Sequence, residues 1–238
     1  MSRLIAFIIG SGPNIGQHTS AALKAKGYQV ALGSRKPVVE QVKKDGYFPV
    51  ALDITRPETI KEAFASVNKE LGPPSVVIFN GSVFSAPPIP DDPLSTPLEK
   101  FTEMSAVALS VFAAAQEAVA AFRAESNKDA LKTFIITGNP TPWQPFWKTS
   151  FFSGVLHKTD EWRMTELLAH AYAKEKFRFY FASLVNAETG GVLDPLSEFW
   201  TSGPQHAKVY TDLATWPDQA DWDYRFTLKA EQWEKARG

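Results

Sequence analysis

The sequence predicts an α/β fold, a doubly wound parallel β-sheet with helices on both faces. Three observations lead there. Short β-branched or aromatic runs bounded by turn residues occur at Leu4–Ile9, Gln29–Leu32, Phe48–Leu52, Val76–Phe79, Thr133–Thr137 and Phe179–Val185. Helical patterns separate them. The runs are continuously apolar instead of alternating, as expected of strands covered on both faces. The right-handed crossover rule then leaves the doubly wound order as the natural topology.

Helical spacing of apolar residues places helices at Ile15–Lys26, Val38–Lys44, Pro57–Leu71, Leu98–Arg123 and about Lys158–Lys176. The Pro-rich stretch Ala86–Pro97 reads as a loop over the carboxyl edge of the sheet. Beyond Ala187 the chain is less regular, with a last strand expected at Arg225–Leu228. The even alternation over 238 residues argues for a single domain spanning 1–238, its aromatic-rich tail of about 187–238 completing a substrate mouth.

Charge excludes some partners. The formal net charge is -1 with no block of like charges, so nothing favours nucleic acid or an anionic membrane. The chain has no Cys, which removes disulfides, thiolate metal sites and a thiol nucleophile. The histidines show no metal-ligand spacing, and no metal is expected. The opening run Leu4–Ile9 is too short for a signal peptide, and no run is read as reaching the ~20 residues of a membrane span. A cytoplasmic location is the expectation.

The chemistry begins where the first strand ends. Gly10-Ser11-Gly12-Pro13-Asn14-Ile15-Gly16 joins it directly to the first helix. Small residues there let the backbone approach a pyrophosphate, and the helix N-terminus offers it free N–H groups. After the second strand comes Ser34-Arg35-Lys36, with no acid to hold a ribose 2′-hydroxyl. Cations at that place suit a 2′-phosphate, so the cofactor expected is NADP(H).

The spacing of Gly10, Gly12 and Gly16 resembles that of the short-chain dehydrogenase/reductase superfamily, whose Rossmann-type domain this would be. Asp53-Ile54 resembles its adenine-contacting pair, and Asn80-Gly81-Ser82 its turn after the fourth strand. Asn186, after the sixth strand, would flank the nicotinamide. Thr137-Gly138-Asn139 ends the fifth strand where the family's catalytic serine stands. The piece Ala207–Leu228 looks like the tail of an atypical branch.

The resemblance implies carbonyl chemistry by Ser, Tyr and Lys, supported by an Asn in the fourth helix. This chain departs from that set. Val107 or Ala108 fills the Asn position, and Asn139 fills that of Ser. An amide still donates to an oxyanion. The Tyr–Lys pair, four residues apart, reads as Phe152/Leu156, Ser153/His157 or Gly154/Lys158. None of these registers supplies a tyrosine. Tyr172 and Lys176 fit the letters, yet a rise of ~1.5 Å per residue puts them ~20 Å from the strand ends, so they are set aside. Asn139, Lys158 and His157 remain as candidate catalytic groups, the last two as proton sources.

Trp143, Trp147, Phe152, Phe199 and Trp200 would flank the mouth, suggesting a bulky hydrophobic or polycyclic substrate; an oligomer interface would favour the same residues. The preferred activity is an NADP(H)-dependent oxidoreductase acting on a carbonyl or related group. The alternatives are a non-redox cyclisation or isomerisation, and a non-enzymatic NADP(H)-binding protein. The long helix Leu98–Arg123 resembles the one through which the superfamily dimerises, so a homodimer or homotetramer is expected.

Overall fold

The computed structural model describes residues 4–144 and 148–234. Its sheet has seven strands: β1 (Ile5–Ile9), β2 (Gln29–Ser34), β3 (Phe48–Ala51), β4 (Val76–Phe79), β5 (Lys132–Thr137), β6 (Phe177–Leu184) and β7 (Asp223–Phe226). They lie in the order β3-β2-β1-β4-β5-β6-β7, all parallel. The doubly wound expectation holds. The register sets Ile9 beside Gly33 and Phe79, Phe79 beside Ile136, and Thr137 beside Ala182. The carboxyl ends of the central strands therefore form one edge.

Among the described residues six α-helices cover the sheet: α1 (Ile15–Ala25), α2 (Val39–Lys44), α3 (Glu58–Glu70), α4 (Leu98–Phe122), α5 (Phe152–Ala171) and α6 (Gly203–Thr215). Strand residues of one parity, including Phe7, Val77 and Phe134, pack with Phe64, Val111 and Ala169 from α3, α4 and α5. The other parity, including Ile8, Ile78 and Tyr180, packs with Leu23 and Leu213 from α1 and α6. Alternate side chains point to opposite faces, so continuous apolar runs feed two cores.

Three sequence expectations need correction. α5 begins at Phe152, six residues before the expected Lys158. Phe, Ser and Gly at 152–154 are weak helix formers, and tertiary packing overrides them. α6 was not foreseen at all. Pro204 stands in its first turn, where the missing N–H costs nothing. Finally, α4 is long and apolar enough to span a bilayer, contrary to the reading that no run is. Half of that window is buried within the fold, as befits a helix central to one core.

Candidate active site at the carboxyl edge of the sheet

The turn after β1 is shaped by close backbone approach. Gly10 has φ +96°, and a Cβ there would lie 2.6 Å from the Gly81 nitrogen. A Cβ on Gly16 would lie 2.7 Å from the Ser11 Cα. Both positions therefore require glycine. Gly12 is the opposite case: it is exposed, and a Cβ would meet no described atom within 4 Å. The Asn14 side chain makes no cap bond to α1, and the first turn carries no acid. An uncapped helix N-terminus beside open space, with Pro13 exposed and Ile15 and Gly16 buried beneath, is what a pyrophosphate needs.

The Asn14 amide instead ties this turn to the C-terminal half. Its Nδ2 donates to the Phe199 carbonyl at 2.9 Å, and its Oδ1 accepts from the Gly203 N–H at 2.7 Å. Phe199 is half-buried, its ring against those of Trp200 and His206. Trp200 is 67% exposed.

A buried polar chain joins the strand ends. The Tyr210 hydroxyl donates to Thr137 Oγ1 at 2.8 Å, Thr137 Oγ1 donates to Asn80 Oδ1 at 2.9 Å, and Asn80 Nδ2 donates to the Gly10 carbonyl at 2.7 Å. Burial pushes the Tyr210 hydroxyl well above its ordinary range, so it stays a neutral donor. The Asn80 amide thus ties β5 to the glycine turn, with half-buried Gly81 and exposed Ser82 following it. Tyr210 and Thr137 were missed as a pair because their partnership is tertiary.

Asp53 is likewise engaged, accepting from the Thr55 N–H and hydroxyl. Partial burial raises its pKa, but the two Thr55 bonds and the nearby Arg35 and Arg56 outweigh that and hold the carboxyl below its ordinary value. Ile54 lies under Gly81, where a Cβ would come within 2.7 Å of it, and its carbonyl accepts from Ser110 of α4. Arg35 and Lys36 are exposed beyond half-buried Ser34, open to an anion.

Lys158 lies at the end of β5. Its ammonium donates to the Thr137 carbonyl at 3.0 Å and to Glu161 Oε2 at 2.6 Å. The side chains of the pair are 5% and 0% exposed. Burial raises the Glu161 pKa, and Lys158 pulls the other way without cancelling it. His157 is also buried, at 2%. Lys158 and His157, the proton sources expected from sequence, are thus both buried in α5. Glu161 was missed, although its spacing of three from Lys158 on a helix is a legible signal.

Asn139 stands two residues past Thr137. Its Oδ1 accepts from Thr141 N and Oγ1, which leaves the NH2 group as the donor toward a ligand. Asn186 folds its own loop, accepting from Glu188 and Thr189 N–H groups. At Gly154, one turn before Lys158, a Cβ would meet no described atom within 4 Å.

The aromatic residues divide. Phe152 stacks on Phe101 at 6.1 Å between ring centroids, and Phe151 lies 4.7 Å from Phe84. Trp143 is half-buried: the Arg225 guanidinium sits 3.6 Å from its ring centre, and its indole N–H donates to the Gly190 carbonyl. Trp147 lies outside the described residues. Tyr172 packs on Phe177 and Phe179 at the opposite end of α5 from this edge.

Residues 4–138 match the family model described as short chain dehydrogenase. The chain belongs to the short-chain dehydrogenase/reductase family. It is 31% identical over 236 residues to the short chain dehydrogenase/reductase dmxR12 of Cryptosporiopsis sp. (strain 8999), covering 93% of this chain and 91% of that one. The fold is that of solved members. A short-chain type dehydrogenase/reductase from Mycobacterium marinum superposes with a TM-score of 0.70 at 18% identity, over 96% of this chain and 95% of that one. A metagenomic short-chain oxidoreductase in complex with NADP gives 0.72 at 17%, over 95% and 99%. A 3-ketoacyl-(acyl-carrier-protein) reductase from Brucella melitensis complexed with NADH gives 0.71 at 17%, over 89% and 91%. Family membership makes this chain an oxidoreductase with a nicotinamide dinucleotide site.

Proposed function

We propose that the chain is an NADP(H)-dependent oxidoreductase acting on a carbonyl or related group of a bulky hydrophobic substrate. The observation that carries this reading is the open, uncapped turn at Gly12, with Arg35 and Lys36 exposed one strand away. The turn holds the diphosphate, and the two cations hold a 2′-phosphate that no acid repels. The bound nicotinamide would supply or accept hydride. Asn139 donates to the substrate oxygen through its NH2 group, and Lys158, clamped by Glu161 and Thr137, is a fixed cation at the strand ends.

The test is cofactor oxidation followed at the nicotinamide band with a panel of polycyclic ketones. Turnover with NADPH supports the reading. Val107 or Ala108 where the family has Asn, and the lack of a tyrosine in every register of the Tyr–Lys pair, favour a second reading, a non-redox cyclisation or isomerisation. Product formed with oxidised NADP and no absorbance change selects it.

We further propose that the partner is a second copy of the chain. Leu109 and Phe112 of α4 and Leu156 and Leu167 of α5 are 62%, 51%, 40% and 58% exposed, and lie on adjacent packed helices. Pairing would cover them. Sedimentation should show a dimer or tetramer that Phe112→Asp converts to monomer; a wild-type monomer overturns the proposal.

A further inference from the structure

We infer that the open volume at Gly154 is a subsite for an acidic hydroxyl of the substrate, which makes the substrate a hydroxyaryl ketone. This rests on the oxidoreductase reading above. Residues 154 and 158 share one face of α5, and a helical side chain leans toward the N-terminus. Lys158 stands one turn after Gly154, and its bond to the Thr137 carbonyl anchors its ammonium at the strand ends. A Cβ at 154 would meet no described atom within 4 Å, so glycine leaves this turn of the helix open.

Lys158 has three N–H donors and spends two on Thr137 and Glu161. The third is available to an oxygen in the gap. The pairing with Glu161 also means that Lys158 is a poor source of a proton, since losing it would strand a buried carboxylate. The proton needed by a nascent alkoxide must then reach it from something seated beside Lys158. An aliphatic hydroxyl is too weak an acid. A phenol has a pKa near ~10, and a neighbouring ammonium lowers it. The ring pairs Phe84–Phe151 and Phe101–Phe152 border the same helix start and offer flat apolar surface to an aryl group.

The step balances as follows. With a hydride supplied to the carbonyl carbon by a bound reduced nicotinamide, the C=O π pair moves to oxygen, the phenolic O–H bond breaks and its proton forms the new alcohol O–H. The electron pair stays on the phenolate, which the Lys158 ammonium holds. Water reprotonates it before or after release.

Binding alone tests the subsite, without cofactor turnover. The wild-type chain is titrated by calorimetry and difference absorbance with 1-acetyl-2-naphthol and with its methyl ether. A bond to a charged donor predicts that the free hydroxyl binds about tenfold tighter or more, with a red shift of its absorbance toward the phenolate. Gly154→Leu, which plugs the gap, and Lys158→Met should both remove that preference. Equal affinity for the two compounds in the wild type overturns the inference, as does a preference unchanged in Gly154→Leu. Because the wild-type comparison needs no variant, misfolding cannot mask the result. If the preference is present but NADPH is never consumed, the oxidoreductase reading fails and the subsite stands. Equal reduction of ketone and ether sinks the subsite alone.

Discussion

Lys158 and Glu161 form a hydrogen-bonded ion pair at 2.6 Å, on one helix face, with neither side chain more than 5% exposed. Removing one partner leaves a buried, uncompensated charge. Glu161→Leu should therefore lower unfolding free energy by about 3–5 kcal/mol in denaturant titration. The double variant Lys158→Met/Glu161→Leu should recover most of that loss. A double variant as unstable as the single one contradicts the pairing.

Gly10 and Gly12 should separate folding from binding. Gly10→Ala forces a Cβ to 2.6 Å from the Gly81 backbone at φ +96°, so thermal unfolding should show a loss of about 1–3 kcal/mol. Gly12→Val meets open space and should leave stability within about 0.5 kcal/mol. Its Kd for nicotinamide dinucleotides should rise, because the added side chain occupies the space the diphosphate needs. Unchanged calorimetric affinity in Gly12→Val would place the cofactor elsewhere.

His206 gives the pH dependence a sign. Burial depresses its pKa to about 4, and its Nδ1 lies 2.9 Å from the Ser202 carbonyl. The folded chain thus binds this proton more weakly than the unfolded chain does. Its contribution to stability is present above the ordinary histidine range and is lost as pH falls from about 6.5 to about 4, amounting to about 3 kcal/mol. Unfolding free energy measured from pH 7 to 4 should fall accordingly. His206→Phe should flatten that part of the curve; an unchanged slope would assign the acid sensitivity to other groups.

Much of this was legible beforehand. Runs such as Val76–Phe79 are buried throughout, and their lack of alternation already announced a two-sided sheet. The glycine turn was legible because backbone collisions, not distant partners, demand its small residues. What escaped was decided by partners far along the chain. The Arg225 guanidinium over the Trp143 ring and the Thr137 hydroxyl on Asn80 are such partners. α6 escaped because a Gly-Pro pair serves either to break a helix or to begin one.

The Arg225 clasp has its own consequence. Its guanidinium lies 3.6 Å from the Trp143 ring centre and 5.9 Å from that of Trp233, while the two indole N–H groups donate to the Gly190 and Ala187 carbonyls. Arg225→Leu should cost about 1–2 kcal/mol and speed amide exchange across residues 186–192. Exchange confined to the tail beyond residue 226 would show that the loop is held by other means.

The central claim is that backbone amides at Gly10–Gly16 grip a diphosphate, with Arg35 and Lys36 choosing the phosphorylated cofactor. Calorimetric titration of the purified chain with NADPH and NADH tests it most directly. The account predicts tighter binding of NADPH, with Arg35→Ala/Lys36→Ala reducing that preference about tenfold or more and leaving NADH nearly unchanged. No heat of binding with either dinucleotide would contradict it.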